Sequence, residues 1–273
     1  MTSTRSPVRV EQDGDVAVVV LDHPPLNLFD EAVLASLEEV LEELRRLTEP
    51  GAPHRARAVL FEARGKVVSA GVDVALFSAI AEGADAVEHG NLLWRRLLRL
   101  THAVEELPVP TVFAAHALTL TAAFELALAC DLLLAADAAS FGLVERVVGL
   151  SPSMGGPQRL AERAGPARAK ELVYTGQRYS AATLERWNVV NRVLPDEGFA
   201  AAAREFVRDL AAGPTLAHAV TKRLVTTAAR DGVRAADDIT PAVSGSLFGT
   251  ADLRGAVASF LKDGPGRATF DGH

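Results

Sequence analysis

The sequence predicts an α/β fold with crossover connections, followed by a C-terminal segment of helices alone. Three observations predict it. Short apolar strands recur at 58–61, 111–115, 132–136 and 189–194, and stretches of helical periodicity separate them, as expected for strands joined by crossover helices. From Asp196 onward only helical periodicity is visible, broken near Gly213-Pro214, Gly232 and Gly264-Pro265. A length of 273 residues with 49% hydrophobic content is enough for one large core. The chain therefore divides into a core over residues 1–195 and a helical segment over 196–273, whose Ala-rich faces suit an oligomer interface.

Taken in order, Val8-Arg9-Val10 and Val16-Ala17-Val18-Val19-Val20-Leu21 read as two strands joined by the turn Gln12-Asp13-Gly14-Asp15. A proline-fixed loop, Asp22-His23-Pro24-Pro25-Leu26-Asn27-Leu28-Phe29, leads to Asp30, which can cap a helix to about Leu47 with Val33, Leu34, Leu37, Val40, Leu41 and Leu44 on one face. After the strand at 58–61 comes the glycine-bearing loop Ser69-Ala70-Gly71-Val72-Asp73, which ends at a helix start. Backbone N–H groups at such a junction point outward and favour negative charge. A long amphipathic helix over 84–107 ends at Pro108 and Pro110. The strand at 111–115 follows, and a helix over 121–130 comes after it.

Composition narrows the function. A net charge of −7 argues against a nucleic-acid surface. Seven His without metal-ligand spacing argue against a metal site. One Cys excludes an intrachain disulfide and fits a reducing cytosol. The N-terminal residues show no apolar leader. The apolar run over 109–124 is too short to span a membrane and is closed by Glu125 and Asp131. A soluble, cytoplasmic protein is expected.

Two acids stand out. Glu125 lies in Thr121-Ala122-Ala123-Phe124-Glu125-Leu126-Ala127-Leu128-Ala129-Cys130; in a helix its neighbours are Thr121, Ala122, Leu128 and Ala129, so it lies on no polar stripe. Glu145 follows twenty residues later in Phe141-Gly142-Leu143-Val144-Glu145. That spacing spans helix, strand and turn, so both carboxylates can reach one pocket, as general acid–base chemistry requires. Plainer readings stand beside this one: Glu125 as a structural acid paired with Arg159, and Glu145 as a surface acid bridged to Arg146.

Several pieces together resemble the enoyl-CoA hydratase/isomerase (crotonase) family over nearly the whole length. They are Leu21-Asp22-His23-Pro24-Pro25-Leu26-Asn27, Ser69-Ala70-Gly71-Val72-Asp73, Phe124-Glu125-Leu126-Ala127 with Cys130-Asp131, and Phe141-Gly142 with Glu145. Gly149-Leu150-Ser151-Pro152, Gly155-Gly156 with Gln158-Arg159-Leu160, and the tail Gly266-Arg267-Ala268-Thr269-Phe270 complete the set. The resemblance implies a spiral of repeated β-β-α units and an oxyanion hole made by the amides of Val72 and Ala122, with Glu125 and Glu145 as the acid–base pair. It also implies contacts to a coenzyme A thioester from Leu26, Ser69, Ala70, Gly71, Asp73, Val74, Ser153 and Arg267. Coenzyme A enters as substrate, no cofactor or metal is implied, and a homotrimer or dimer of trimers is expected, with the tail crossing between subunits.

The sequence departs from the family's pattern in places. His116-Ala117 stands where Asn-Gly is usual, and Thr121-Ala122-Ala123 where three glycines are usual. Val72 replaces Ala, Ser153 replaces Gly, and Ala75 stands where a phosphate-contacting Lys is common. Thr121 is expected to cap the following helix, its hydroxyl satisfying a free helix amide while Ala122 keeps its own for substrate. Three functions remain open: hydration or dehydration of an acyl-CoA, isomerisation or another lyase reaction on such a thioester, and non-catalytic acyl-CoA binding.

Overall fold

The computed structural model describes residues 6–52 and 55–273; the N-terminal stretch read as lacking an apolar leader lies mostly outside them. The chain begins with a hairpin. Strands β1 (Val8–Asp13) and β2 (Val16–Leu21) pair antiparallel from Val8↔Leu21 to Asp13↔Val16. The turn is tighter than the four residues expected, because Gly14 at φ 59° lets two residues reverse the chain. Helix α1 (Glu31–Thr48) starts at Asp30, whose carboxylate accepts from the Val33 amide at 2.9 Å, and its expected apolar face is buried. Strand β3 (Ala58–Ala63) is wholly buried beside β2. Helices α2 (Val74–Ala81) and α3 (Ala86–Glu105) follow.

The chain then repeats one unit. Strand β4 (Thr111–Ala115) enters the large sheet, and the two-residue β5 (Thr119–Leu120) starts a small one before α4 (Ala122–Ala129). Strand β6 (Leu132–Ala136) returns to the large sheet, and β7 (Ser140–Gly142) joins the small one ahead of a 3-10 turn at Glu145–Val148. Helices α5 (Gly156–Ala164) and α6 (Pro166–Thr175), strand β8 (Tyr179–Ser180), α7 (Ala181–Arg186) and β9 (Arg192–Leu194) complete the turn. The large sheet runs β1-β2-β3-β4-β6-β9, parallel after the hairpin, and the small one β5-β7-β8. The circuits β4-β5-α4 and β6-β7-α5 each place one strand in the large sheet, one in the small sheet and then a helix, which is the expected β-β-α spiral.

Two expectations change in detail. The last strand is shorter than 189–194, because Asn188 at φ 62° turns the chain out of α7 and the Val189 and Val190 amides bond back to the Leu184 carbonyl. The helical segment after 196 also starts inside the core. Helix α8 (Phe199–Ala211) buries Phe199, Ala203, Val207 and Ala211 against the sheet, and Arg204 clamps Glu62 of β3 at 2.7 and 3.2 Å. Beyond it, α9 (Thr215–Asp231), α10 (Val233–Gly245) and α11 (Ala251–Asp263) bury little, and Phe248, Phe260 and Leu261 are exposed.

Asn27 fastens the loop after β2 to the loop after β3. Buried and at φ 51°, it accepts from the His23 amide and donates toward the carbonyls of Arg64, Val67 and Val68. Asn tolerates positive φ better than Ala, and removing its amide strands the buried Val68 carbonyl at about 1–3 kcal/mol, besides the two part-buried bonds. Asn27→Ala is expected to lower the melting temperature by more than ~5 °C, measured by calorimetry. A shift under ~2 °C would show that this latch is not a major support.

Candidate active site

The end of β3 and the start of α4 meet at one place. Ser69 is fully buried; its hydroxyl donates to the Asn27 carbonyl at 2.6 Å and accepts from the Gly71 amide at 3.0 Å. The Ala70 amide donates to the Leu26 carbonyl, and the Phe29 amide to that of Gly71. Ser69 and Thr119 form a parallel bridge, as do Phe29 and Val72. Asp73 caps α2 by accepting from the Ala75 amide at 2.9 Å, which places Val74 at the exposed helix start. Leu26 is exposed beside this loop. The structure thus gathers Leu26, Ser69, Ala70, Gly71, Val72, Asp73 and Val74. The Ser69 hydroxyl and the Asp73 carboxylate are spent on holding the loop's shape.

Thr121 joins this loop to α4. Its backbone sits at φ 48°, ψ −121°, with its amide donating to the Gly142 carbonyl at 2.9 Å. For a β-branched residue this is a strained region, costing on the order of 1–3 kcal/mol. The expected cap is not formed. Thr121 makes no side-chain bond to its own helix; its Oγ1 instead accepts from the Val72 amide at 3.2 Å. The positive φ aims the side chain away from the helix's free amides and toward the neighbouring loop. Gly71, at φ 109°, makes this possible, since a Cβ there would overlap Oγ1. Ala122 is the first residue of α4, where an N–H has no intrahelical acceptor.

Glu125 lies one turn further along α4 and is 3% exposed. Its Oε1 accepts from the Met154 amide at 2.9 Å and the Gly156 amide at 2.7 Å. Gly156 must lack a side chain, because a Cβ would meet the Glu125 carboxyl at under 3 Å. The expected alternative partner is taken: Arg159 binds Glu105 through two 2.6 Å contacts, although its charge still favours the ionised Glu125. Burial outweighs these effects and pushes Glu125 up to about 7.

Glu145 opens the 3-10 turn after β7. It forms no bridge to Arg146, whose guanidinium donates to the Tyr174 and Thr175 carbonyls. Its Oε2 is buried without a hydrogen-bond partner among the described residues. Burial first, and then the charge of Glu125, push it up to about 8. Glu145 lies near enough to feel the charge of Glu125, so the two acids share one region, and both hold a proton more firmly than an ordinary carboxylate.

Ser153, half-buried in the loop that supplies the Met154 amide, donates its hydroxyl to the Ser151 carbonyl at 2.8 Å. Arg267 lies exposed in the C-terminal tail. The tail is tied to Arg57, just before β3, by a 2.7 Å bond to the Phe270 carbonyl. The loop at 69–73 follows the other end of that strand, and six strand residues span roughly 20 Å. The amides of Met154 and Gly156 were not foreseen as holders of Glu125, although the Gly155-Gly156 pair is the one signal that marked a close approach there.

These raised carboxylates fix a pH dependence of stability. A group whose folded pKa lies above its unfolded value stabilises the fold below the unfolded value and loses that contribution as pH rises through the folded one. The window here runs from about 4.5 to about 8. Glu125→Gln mimics the neutral acid and keeps an oxygen for the two amides. It should melt ~2–6 °C above the parent at pH 8 and nearly level with it at pH 5, by differential scanning fluorimetry. An equal difference at both pH values would contradict the buried-acid account.

Comparison with known proteins places this geometry. Residues 11–267 match the family model described as enoyl-CoA hydratase/isomerase. The carnitinyl-CoA dehydratase of Salmonella arizonae is 33% identical over 221 residues, covering 81% of this chain and 80% of the relative. The short-chain-enoyl-CoA hydratase of Clostridium acetobutylicum is 28% identical over 258 residues, covering 93% and 94%. The crystal structure of an enoyl-CoA hydratase from Bacillus anthracis superposes with a TM-score of 0.86 at 25% identity, covering 98% of this chain and 100% of that one. A match that spans both the loop after β3 and the two buried acids, on the same spiral, leaves one conclusion: this chain belongs to the enoyl-CoA hydratase/isomerase family.

Proposed function

We propose that the protein adds water to, or removes it from, the double bond of an acyl-CoA thioester. The observation that carries this reading is the pair of acids, buried Glu125 and half-buried Glu145, both with raised proton affinity and sharing one region beside a helix that opens one turn before Glu125. Hydration needs one group to take a proton from water and another to deliver one to carbon. Glu125, fixed by two amides, is suited to hold the water and accept its proton as the oxygen bonds to the β carbon. Glu145, whose Oε2 has no hydrogen-bond partner among the described residues, is suited to give its proton to the α carbon. Between these events negative charge rests on the thioester oxygen, which the amide at Ala122 and the donor group around Val72 are placed to stabilise. Dehydration is the same path reversed, and relatives named for each direction support this class of reaction.

One observation favours a second reading. The Val72 amide already has a partner in Thr121, so a non-catalytic acyl-CoA binder must be tested as well. Loss of the enoyl absorbance of crotonyl-CoA and of longer enoyl-CoAs separates the two. The proposal expects turnover with at least one chain length, and Glu125→Gln and Glu145→Gln to lower kcat at least about 100-fold with the fold retained. A variant that keeps more than about a tenth of the activity would remove that acid from the chemistry. If no thioester turns over but acyl-CoA still binds, the binder reading stands.

The tail belongs to the same proposal. With Ala75 uncharged, phosphate contacts fall to Arg267 or Lys262, and the tie of the tail to Arg57 favours its presentation by a second copy. The exposed Phe248, Phe260 and Leu261 provide an apolar surface for such a copy. Light scattering is expected to give three or six times the 28.9 kDa chain mass. Arg267→Ala should weaken coenzyme A binding about threefold or more and flatten its salt dependence. A monomer, or unchanged binding, would take the tail out of the site.

A further inference from the structure

The Thr121 hydroxyl occupies the position from which the Val72 amide would otherwise reach a substrate. The residue is 7% exposed, and Oγ1 accepts from that amide at 3.2 Å. Its orientation is set on both sides: its amide is held by the Gly142 carbonyl, and its carbonyl accepts from the Glu125 amide, each at 2.9 Å. The φ of 48° turns the side chain toward Gly71, which has no side chain to exclude it. A β-branched side chain is stiff at χ1, so it does not readily leave. A hydroxyl has one proton to give and two lone pairs. Here one lone pair takes the Val72 proton, and among the described residues no acceptor receives the hydroxyl's own proton. The group therefore has a donor to spare beside the free amide of Ala122.

We propose that the Thr121 hydroxyl, together with the Ala122 amide, is the donor pair that meets the thioester oxygen. The Val72 amide then acts one bond further back, polarising the hydroxyl. No bond is made or broken at Thr121; the hydroxyl keeps its proton and shares it with the oxygen as charge builds there. The inference rests on the thioester reading above and deepens it by naming a catalytic side chain in place of one backbone donor.

The test compares Thr121→Val, which keeps the shape without the hydroxyl, with Thr121→Ser, which keeps the hydroxyl. Two readouts are used: hydration kinetics on whichever enoyl-CoA the parent turns over, and the absorption shift of a bound cinnamoyl-CoA chromophore, which reports polarisation of its carbonyl. Thr121→Val is expected to lose about 100-fold in kcat and most of the shift, with the chromophore's dissociation constant changed less than about threefold. Thr121→Ser is expected to regain most of both. If Thr121→Val keeps the parent's kcat and shift, the hydroxyl donor is overturned while the thioester reading stands. A parent that binds the chromophore without a shift and hydrates no enoyl-CoA overturns both. Should Thr121→Val not fold, a structure of the parent with bound acyl-CoA decides. A thioester oxygen about 2.7–2.8 Å from Oγ1, with Val72 still bonded to Thr121, supports the proposal, and an oxygen bonded directly to the Val72 amide overturns it.

Discussion

Burial of the Glu125 carboxylate constrains much of the structure around it. An ionised acid in an apolar helix is expensive unless hydrogen-bonded, and here two amides, from Met154 and Gly156, meet one oxygen. That contact fixes how the loop before α5 crosses α4, and it requires glycine at 156 so that the backbone can approach. Thr101 adds a second tie by donating to the Met154 carbonyl at 3.1 Å, so the loop is held from α3 as well. The acid's raised proton affinity is the residue of this balance: the amides offset part of the burial cost, and what remains shows as a pKa of about 7.

The rest of the site is built from backbone held by buried side chains. Asn27 and Ser69 use their polar atoms to shape the loop after β3, and Asp73 uses its own to start α2. Preorganisation of this kind suits a site that must face developing charge, since dipoles already in place need not reorient. Thr121 differs, because it brings a hydroxyl into a region otherwise made of amides and accepts an uncommon backbone conformation to do so.

The packed core takes in the first helix after residue 195. Helix α8 seals the large sheet through Phe199, Val207 and the Arg204–Glu62 pair, so the core extends past that point. The helices after it bury little of their own surface, which is the condition under which a helical segment is available to another copy.

The sequence alone determined most of the large sheet's strands, the cap of α1 and the unusual setting of Glu125. Runs such as Leu132–Ala136 are apolar throughout because both faces are covered, and Asp30 announces α1 by short-range chemistry. Glu125 was legible because it lies on no polar stripe of its helix. Only the tertiary structure decided what those groups touch. The strands β5, β7 and β8 are two or three residues long, too short to show any period, and exist because the spiral lays them side by side. Arg159 for Glu125, and the adjacent Arg146 for Glu145, were plausible partners on the sequence; the fold gave them to Glu105 and to the carbonyls of Tyr174 and Thr175. Thr121 reads as a helix cap because Ser, Thr, Asp and Asn usually act locally at that position. Its actual partner is 49 residues away, and a contact of that range is set by where the chain's two loops cross, which local propensity does not encode.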